Sequence, residues 1–167
     1  VHQPFGDYYG TYRALERAYT EGTVRAIGVS NFYQDKFYDL AYHCRIYPMI
    51  NQLETNVFSQ QTQMREMLKE YGTKVMAWGP MAQGKENFNE NEILKETGCR
   101  YGKTGIQTAL RFLAQEGIPS IPKSSKAERM KENIDIFDFE LTAEEMNTLR
   151  AMNQTDMATR NYTSLPY

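Results

Sequence analysis

A chain of 167 residues with 41% hydrophobic and 24% charged side chains and a formal net charge of −2 has the balance of a globular protein. That balance argues against disorder, and a net acidic chain offers no general basic field for nucleic acid. No run of about 18 apolar residues reads as a membrane span and no secretory pattern is found, so the expected compartment is the cytosol.

Val1-His2-Gln3-Pro4 reads as the last residues of a strand entering a loop. A strand takes about five residues, so the chain is expected to begin within a fold. Tyr8, Tyr12, Leu15 and Tyr19 then recur at helical spacing on one face, and Gly22 closes that helix. Short β-like runs follow at Val24–Val29, Pro48–Gln52, Lys74–Trp78 and Ile118–Pro122, each succeeded by an amphipathic segment. Alternation of this kind implies parallel βα units. Met64, Met67, Leu68 and Tyr71 before Gly72, and Ile106, Ala109, Leu110 and Leu113 before Gly117, are stripes that should face a sheet.

Residues 81–91 read as an irregular loop rich in Gly, Asn and Glu. Thr142 and Glu145 have capping-box spacing, with Leu141 and Met146 as a hydrophobic staple, so a last helix is expected near 143–152. An irregular tail, 153–167, follows. Cys44 and Cys99 lack CxxC spacing and a nearby His ladder, so reduced structural thiols are expected, with neither disulfide nor metal site.

Parallel βα folds place their ligand sites at the carboxyl ends of the strands. Those positions hold His2, Ser30-Asn31, Gln52 with Glu54, Trp78-Gly79-Pro80 and Lys123-Ser124-Ser125. Each has a plainer reading on its own: Asn31 as a helix cap, Gln52 as a satisfied buried amide, Trp78 as a core aromatic. Lys123, Lys126, Arg129 and Lys131 gather positive charge after the last strand, and Ser125 and Glu128 have capping-box spacing. A helix start flanked by Lys and Arg suits a phosphate; a solvated basic face is the plainer alternative. Gly79 to Lys85 mimics a phosphate-binding loop, but Glu86 stands where a hydroxyl should bind magnesium and Pro80 removes an N–H. No G-x-G-x-x-G, H-E-x-x-H or G-x-S-x-G pattern occurs.

Taken together, VHQP, GTVRAIGVSNF, MINQLETN, VMAWGPMAQG and IPKSSKAERMKENIDIFDFEL resemble the second half of the aldo-keto reductases, in order, from Val1 to about Glu145. The resemblance implies an α/β fold, the C-terminal half of a (β/α)8 TIM barrel, with about four βα units, a closing helix and the tail. A complete barrel takes about 250 residues, so this chain is expected to form a single partial barrel over 1–167.

By the same resemblance, His2 orients a substrate carbonyl as the catalytic residue, and NADP is the cofactor. Ser30, Asn31 and Gln52 correspond to residues that bind the nicotinamide carboxamide, and Trp78 to the aromatic that stacks on the ring. Lys123, Ser124, Arg129 and Asn133 correspond to residues at the adenosine phosphate and adenine end. Gly79, Pro80, Met81, Ser125 and Glu132 complete the expected cofactor-binding set. The chain departs from the family where Trp78 replaces the common tyrosine, Gly79 a serine, and Gln3 a tryptophan.

The implied reaction is NADPH-dependent reduction of aldehydes or ketones, with a small carbonyl compound as partner and neither nucleic acid nor membrane. The family's proton-donating tyrosine, with its lysine and aspartate, has no D-x-A-x-x-x-Y counterpart here, and Lys74 opens its strand and so faces the opposite rim. The isolated chain is therefore expected to lack turnover. A non-catalytic NADP-binding or sensing subunit and a self-assembling half-barrel are the alternatives, and unpaired sheet edges should favour association with a second copy or with a missing N-terminal half.

Overall fold

The computed structural model of the chain describes residues 1–154. Three short parallel strands, β1 (Gly28–Ser30), β2 (Ile50–Glu54) and β3 (Lys74–Trp78), lie side by side in that order. Gly28 is registered on Ile50 and Ser30 on Gln52; Ile50 is in turn registered on Lys74 and Glu54 on Trp78. Helix α1 (Tyr8–Thr20) precedes β1, α2 (Gln34–His43) and α3 (Thr62–Lys69) link the strands, and α4 (Glu92–Cys99), α5 (Gly105–Gln115), α6 (Ala127–Ile134) and α7 (Ala143–Arg150) follow β3. The expected tail falls almost wholly outside the described residues; of its members, Asn153 Oδ1 accepts the Gln60 N–H at 2.9 Å and the Gln154 N–H reaches the Phe58 carbonyl at 2.9 Å.

The sheet continues past β1 through Val1, whose amino group donates to the Gly28 carbonyl at 2.8 Å while the Ser30 N–H donates to the Val1 carbonyl at 2.8 Å. This is the bonding of a parallel ladder. Residues 118–122, expected as a fourth full strand, form only a parallel bridge between Ala77 and Ser120. Its two bonds run from the Ala77 N–H to the Pro119 carbonyl and from the Ile121 N–H to the Ala77 carbonyl. Pro119 and Pro122 have no N–H to extend it. The first two strands also begin later than the hydrophobic runs, at residues 28 and 50 rather than 24 and 48. Gly28 is required where it stands, because a Cβ there would lie 2.6 Å from the Ile50 carbonyl oxygen.

Burial alternates along the strands. Val29, Leu53, Val75 and Ala77 are buried against helices, whereas Ile50, Gln52, Glu54, Met76 and Trp78 face the other way and are half-buried. Tyr12, Phe37, Leu40, Leu68, Leu94, Phe112, Leu113 and Leu149 fill the layer between helices and sheet. The stripes read from the sequence supply Tyr8, Tyr12, Met64, Leu68, Ala109, Leu110 and Leu113 to it.

Helix α7 begins as expected: the Glu145 N–H donates to Thr142 Oγ1 at 3.2 Å and the Thr142 N–H to Glu145 Oε2 at 2.8 Å, with Leu141 and Met146 buried beside them. A second capping box, Thr104 with Gln107, starts α5. The box expected at Ser125 and Glu128 does not form. Ser124 Oγ instead accepts the Lys126 N–H at 3.1 Å, which turns the chain one residue early, and α6 starts after Lys126 with no side-chain cap. Cys99 is exposed rather than structural, while Cys44 is half-buried.

Candidate functional site

The carboxyl ends of the strands are tied together by hydrogen bonds among residues singled out in the sequence. Asn31 follows β1 with φ of +62°, a left-handed conformation that asparagine accepts more readily than most residues. Its N–H donates to the Gln52 carbonyl at 2.9 Å, and Ser30 Oγ donates to the same carbonyl at 2.9 Å. Asn31 Nδ2 donates to Ser30 Oγ at 3.0 Å and to the His2 carbonyl at 3.4 Å, and Asn31 Oδ1 accepts the Trp78 indole N–H at 2.9 Å. Trp78 stands on β3 and Asn31 just beyond β1, so the indole reaches across the end of β2. Gln52 Nε2 approaches Met76 Sδ at 3.5 Å. Ser30 and Asn31 are buried, Gln52 and Trp78 half-buried.

His2 sits on the same rim, joined through its backbone carbonyl, and its exposed imidazole makes no hydrogen bond among the described residues. On the other side of Trp78 opens a cleft of about 870 Å³. One wall is the loop after β3, with Trp78, Gly79, Pro80 and Met81; the opposite wall carries Lys123, Ser124, Arg129, Glu132 and Asn133. Nine of the expected cofactor-binding residues thus line one cavity, while Ser30, Asn31 and Gln52 adjoin it through the Trp78 bond. Ser125 is exposed and lies outside the lining.

Charge in the cleft is uneven. Lys123 and Arg129 are exposed cations with no ion pair among the described residues. Glu132 Oε1 accepts the Thr104 hydroxyl at 2.8 Å, which draws that carboxylate toward α5. Ser124 is committed to its turn, since its hydroxyl bonds both the N–H and the carbonyl of Lys126.

The sequence reading did not include several lining residues, among them Gln83, Asn87, Phe88, Asn89 and Ile121. Gly79, Ala82, Gln83 and Gly84 all have positive φ, and this run of left-handed residues folds the loop over the cleft. The Gly and Asn content of 81–91 signals a loop, but nothing local signals that this loop and the basic helix line the same cleft.

Residues 1–154 match the Aldo/keto reductase family. The chain belongs to that family. Among curated aldo-keto reductases and related proteins, it is 40% identical over 157 residues to glyoxal reductase of Bacillus subtilis (strain 168), covering 93% of this chain and 56% of that protein. It is 38% identical over 148 residues to the 9,11-endoperoxide prostaglandin H2 reductase of Trypanosoma cruzi (strain CL Brener), covering 88% and 52%. The chain therefore spans about half the length of these relatives.

Its fold superposes on a crystal structure of MGS-M4, an aldo-keto reductase from a Medee basin deep-sea metagenome library, with TM-score 0.91 and 34% identity, over 100% of this chain and 63% of that one. A Bombyx mori aldo-keto reductase crystallised with NADP gives TM-score 0.84 and 29% identity, over 99% and 61%. Among the described residues, the small parallel sheet and seven α-helices are consistent with part of the aldo-keto reductase α/β fold.

Proposed function

We propose that this chain is the C-terminal, cofactor-holding part of an NADPH-dependent aldo-keto reductase that converts aldehydes or ketones to alcohols. The observation that carries the reading is the cleft itself, in which an aromatic side chain at the strand ends and two uncompensated cations line one cavity. An aromatic wall beside Lys123 and Arg129 fits a heteroaromatic ring joined to phosphates, because charge-assisted bonds to phosphate are roughly twice as strong as neutral ones. The glyoxal reductase relative and the NADP complex of the Bombyx neighbour support the same reading. The cytosolic setting belongs to it as well.

In this reading Trp78 supplies the surface on which the nicotinamide rests, with Ser30, Asn31 and Gln52 at its carboxamide. Lys123 and Arg129 hold the 2′-phosphate end, with Ser124, Glu132 and Asn133 around the adenosine. NADPH, when bound, supplies the hydride. The protein's share is then largely orientation, since positioned reactants lose much of the entropic part of the barrier. His2 orients the carbonyl oxygen. The acid that protonates the developing alkoxide comes from a companion half of the barrel, which closes both sheet edges.

Trp78 is the single tryptophan of the chain, so its fluorescence reports on this site alone. Titration with NADPH is expected to quench it saturably, and NADH to do so more weakly. No quenching by either nucleotide overturns the proposal. A second reading, cofactor binding without turnover, is favoured by His2 being the sole group assigned to the carbonyl. Steady NADPH oxidation with a reactive aldehyde once a relative's N-terminal half is supplied in trans, reduced by His2→Ala, decides for the enzyme.

A further inference from the structure

Helix α6 carries Arg129, Glu132 and Asn133 into the cleft, yet none of its residues is buried and no side chain caps its start. Apolar packing therefore does not hold it in place. Its far end is tied instead by polar bonds to the start of α5. Thr104 Oγ1 donates to Glu132 Oε1 at 2.8 Å, and Gln107 Nε2 donates at 2.9 Å to the carbonyl of Asp135, the residue that caps the end of α6. Lys103 adds the charge. Its Nζ donates to the Asp135 carbonyl at 3.2 Å, to Asp135 Oδ2 at 2.8 Å and to Asp138 Oδ2 at 2.8 Å, which uses every hydrogen of an ammonium. A cation is also favoured at a helix C-terminus, where carbonyls are left without partners. The Lys103 side chain is only 7% exposed, with Nζ 5.7 Å from the centre of the Phe139 ring. Asp135 first, then Asp138, hold the ammonium above the usual lysine range, so it stays charged at neutral pH.

We infer that Lys103 is a positioning residue: by clamping the end of α6 through Asp135 and the following turn through Asp138, it sets where Arg129 stands in the cleft. The inference rests on the proposed phosphate end of the cofactor site and adds to it a residue that does not line the cleft. Arg129 lies less than two turns from the clamp on the same helix, so a tilt or rotation of that end moves its guanidinium. A charge-assisted bond to phosphate depends on that placement. The neighbouring donors do not duplicate the clamp. Thr104 and Gln107 reach only Glu132 and Asp135, whereas Lys103 alone among the three bridges Asp135 and Asp138.

The first arm of the test reads the clamp without any nucleotide. Lys103→Met keeps an unbranched stem beside Phe139 and removes the ammonium. The helical N–H groups of α6, from Met130 on Lys126 to Asp135 on Lys131, are expected to be protected from hydrogen exchange in the unaltered chain. In Lys103→Met they are expected to exchange at least about ten-fold faster, while those of α5 stay within about two-fold. Lys103→Arg, which keeps a cation, is expected to retain the protection. Exchange in α6 that is indifferent to Lys103→Met overturns the inference. Equal loosening of α5 overturns it too, since Lys103 would then support the fold at large.

The second arm reads NADPH affinity by calorimetry in a double-mutant cycle. Lys103→Met is expected to weaken NADPH by about five-fold, and Lys103→Arg by less than about two-fold. In an Arg129→Ala background, adding Lys103→Met is expected to change the affinity by no more than about two-fold, because the group that the clamp places is already gone. The same loss in both backgrounds, or no loss in either, overturns the positioning role and leaves the cofactor site standing. Failure of the unaltered chain to bind NADPH overturns the cofactor site and this role with it.

Discussion

Ala77 and Ser120 meet in a single parallel bridge, and beyond Ser120 no further strand pairs with the sheet among the described residues. Next to that edge lies an apolar groove of about 510 Å³ lined by Leu110, Ile118, Met130, Ile134 and Phe137. Ile134 is 70% exposed and Met130 51%, on a helix α6 that buries none of its residues, and Phe137 just beyond that helix is also 70% exposed. An open edge beside exposed apolar side chains recruits a partner.

Association is therefore the first expected outcome. Light scattering at micromolar concentration should give a mass above that of one chain, and Ile134→Lys with Phe137→Lys should return it toward one chain. Burying such a side chain contributes roughly 1.5–3 kcal/mol, so two lysines suffice to shift the equilibrium. A strictly monomeric, cooperatively folding species in the unaltered chain would sink the idea.

Much of this was legible in the sequence because it is local or periodic. The stripes of α1, α3 and α5, the capping box of α7 and the strand Lys74–Trp78 depend on neighbours a few residues away, and they stand where the spacing put them. The strand ends and the 118–122 pairing depend on partners far along the chain. Hydrophobicity marks Val24 and Ile118 as strand-like, yet only pairing decides that the ladder begins at Gly28 and that two prolines hold Ser120 to one bridge. Likewise Ser125 had the right spacing for a cap, but Ser124, one residue nearer, captured the turn. The cleft residues could be chosen by type and place, whereas the Trp78 to Asn31 bond joins positions 47 apart and has no signature in either segment.

Cofactor choice gives the second prediction. Arg129 faces the cleft without an ion pair among the described residues, so a 2′-phosphate would meet an uncompensated guanidinium. In the chain or in a completed barrel, Arg129→Ala should weaken NADPH by about ten-fold or more, or about 1.4 kcal/mol, and barely change NADH. Equal losses for the two nucleotides would place the phosphate elsewhere.

Helix starts give a third. Thr142 satisfies the Glu145 N–H and is itself bonded by Glu145, so Thr142→Ala removes one half of a reciprocal pair. A loss of about 1 kcal/mol in unfolding free energy is expected, with Thr142→Ser nearly neutral because serine keeps the oxygen. Chemical denaturation of the three proteins distinguishes the cap from mere loss of the threonine methyl, which both variants share.

Acid should weaken the fold through two carboxylates. Burial opposes ionisation of Glu116, but Arg65 at 2.7 Å and Arg150 at 2.7 and 2.9 Å outweigh it and hold its carboxyl below the usual glutamate range. Burial likewise opposes ionisation of Glu145, while bonds from Tyr101, from the N–H and hydroxyl of Thr142, and from Arg100 bring it below that range. For a group whose folded value is depressed, the stabilisation is complete above its unfolded value of 4.5 and is lost as pH falls through the folded one. Unfolding free energy should thus hold steady from neutrality to about pH 5 with respect to these two groups and fall below it. Glu116→Gln keeps the shape, removes the charge and leaves two arginines without their anion, at a cost of about 2 kcal/mol near neutrality. Because the variant has no proton to gain at that position, its acid slope should be shallower than that of the unaltered chain. Parallel slopes in denaturation curves collected between pH 3 and pH 7 would show that the Arg65 and Arg150 contacts do not set the acid sensitivity.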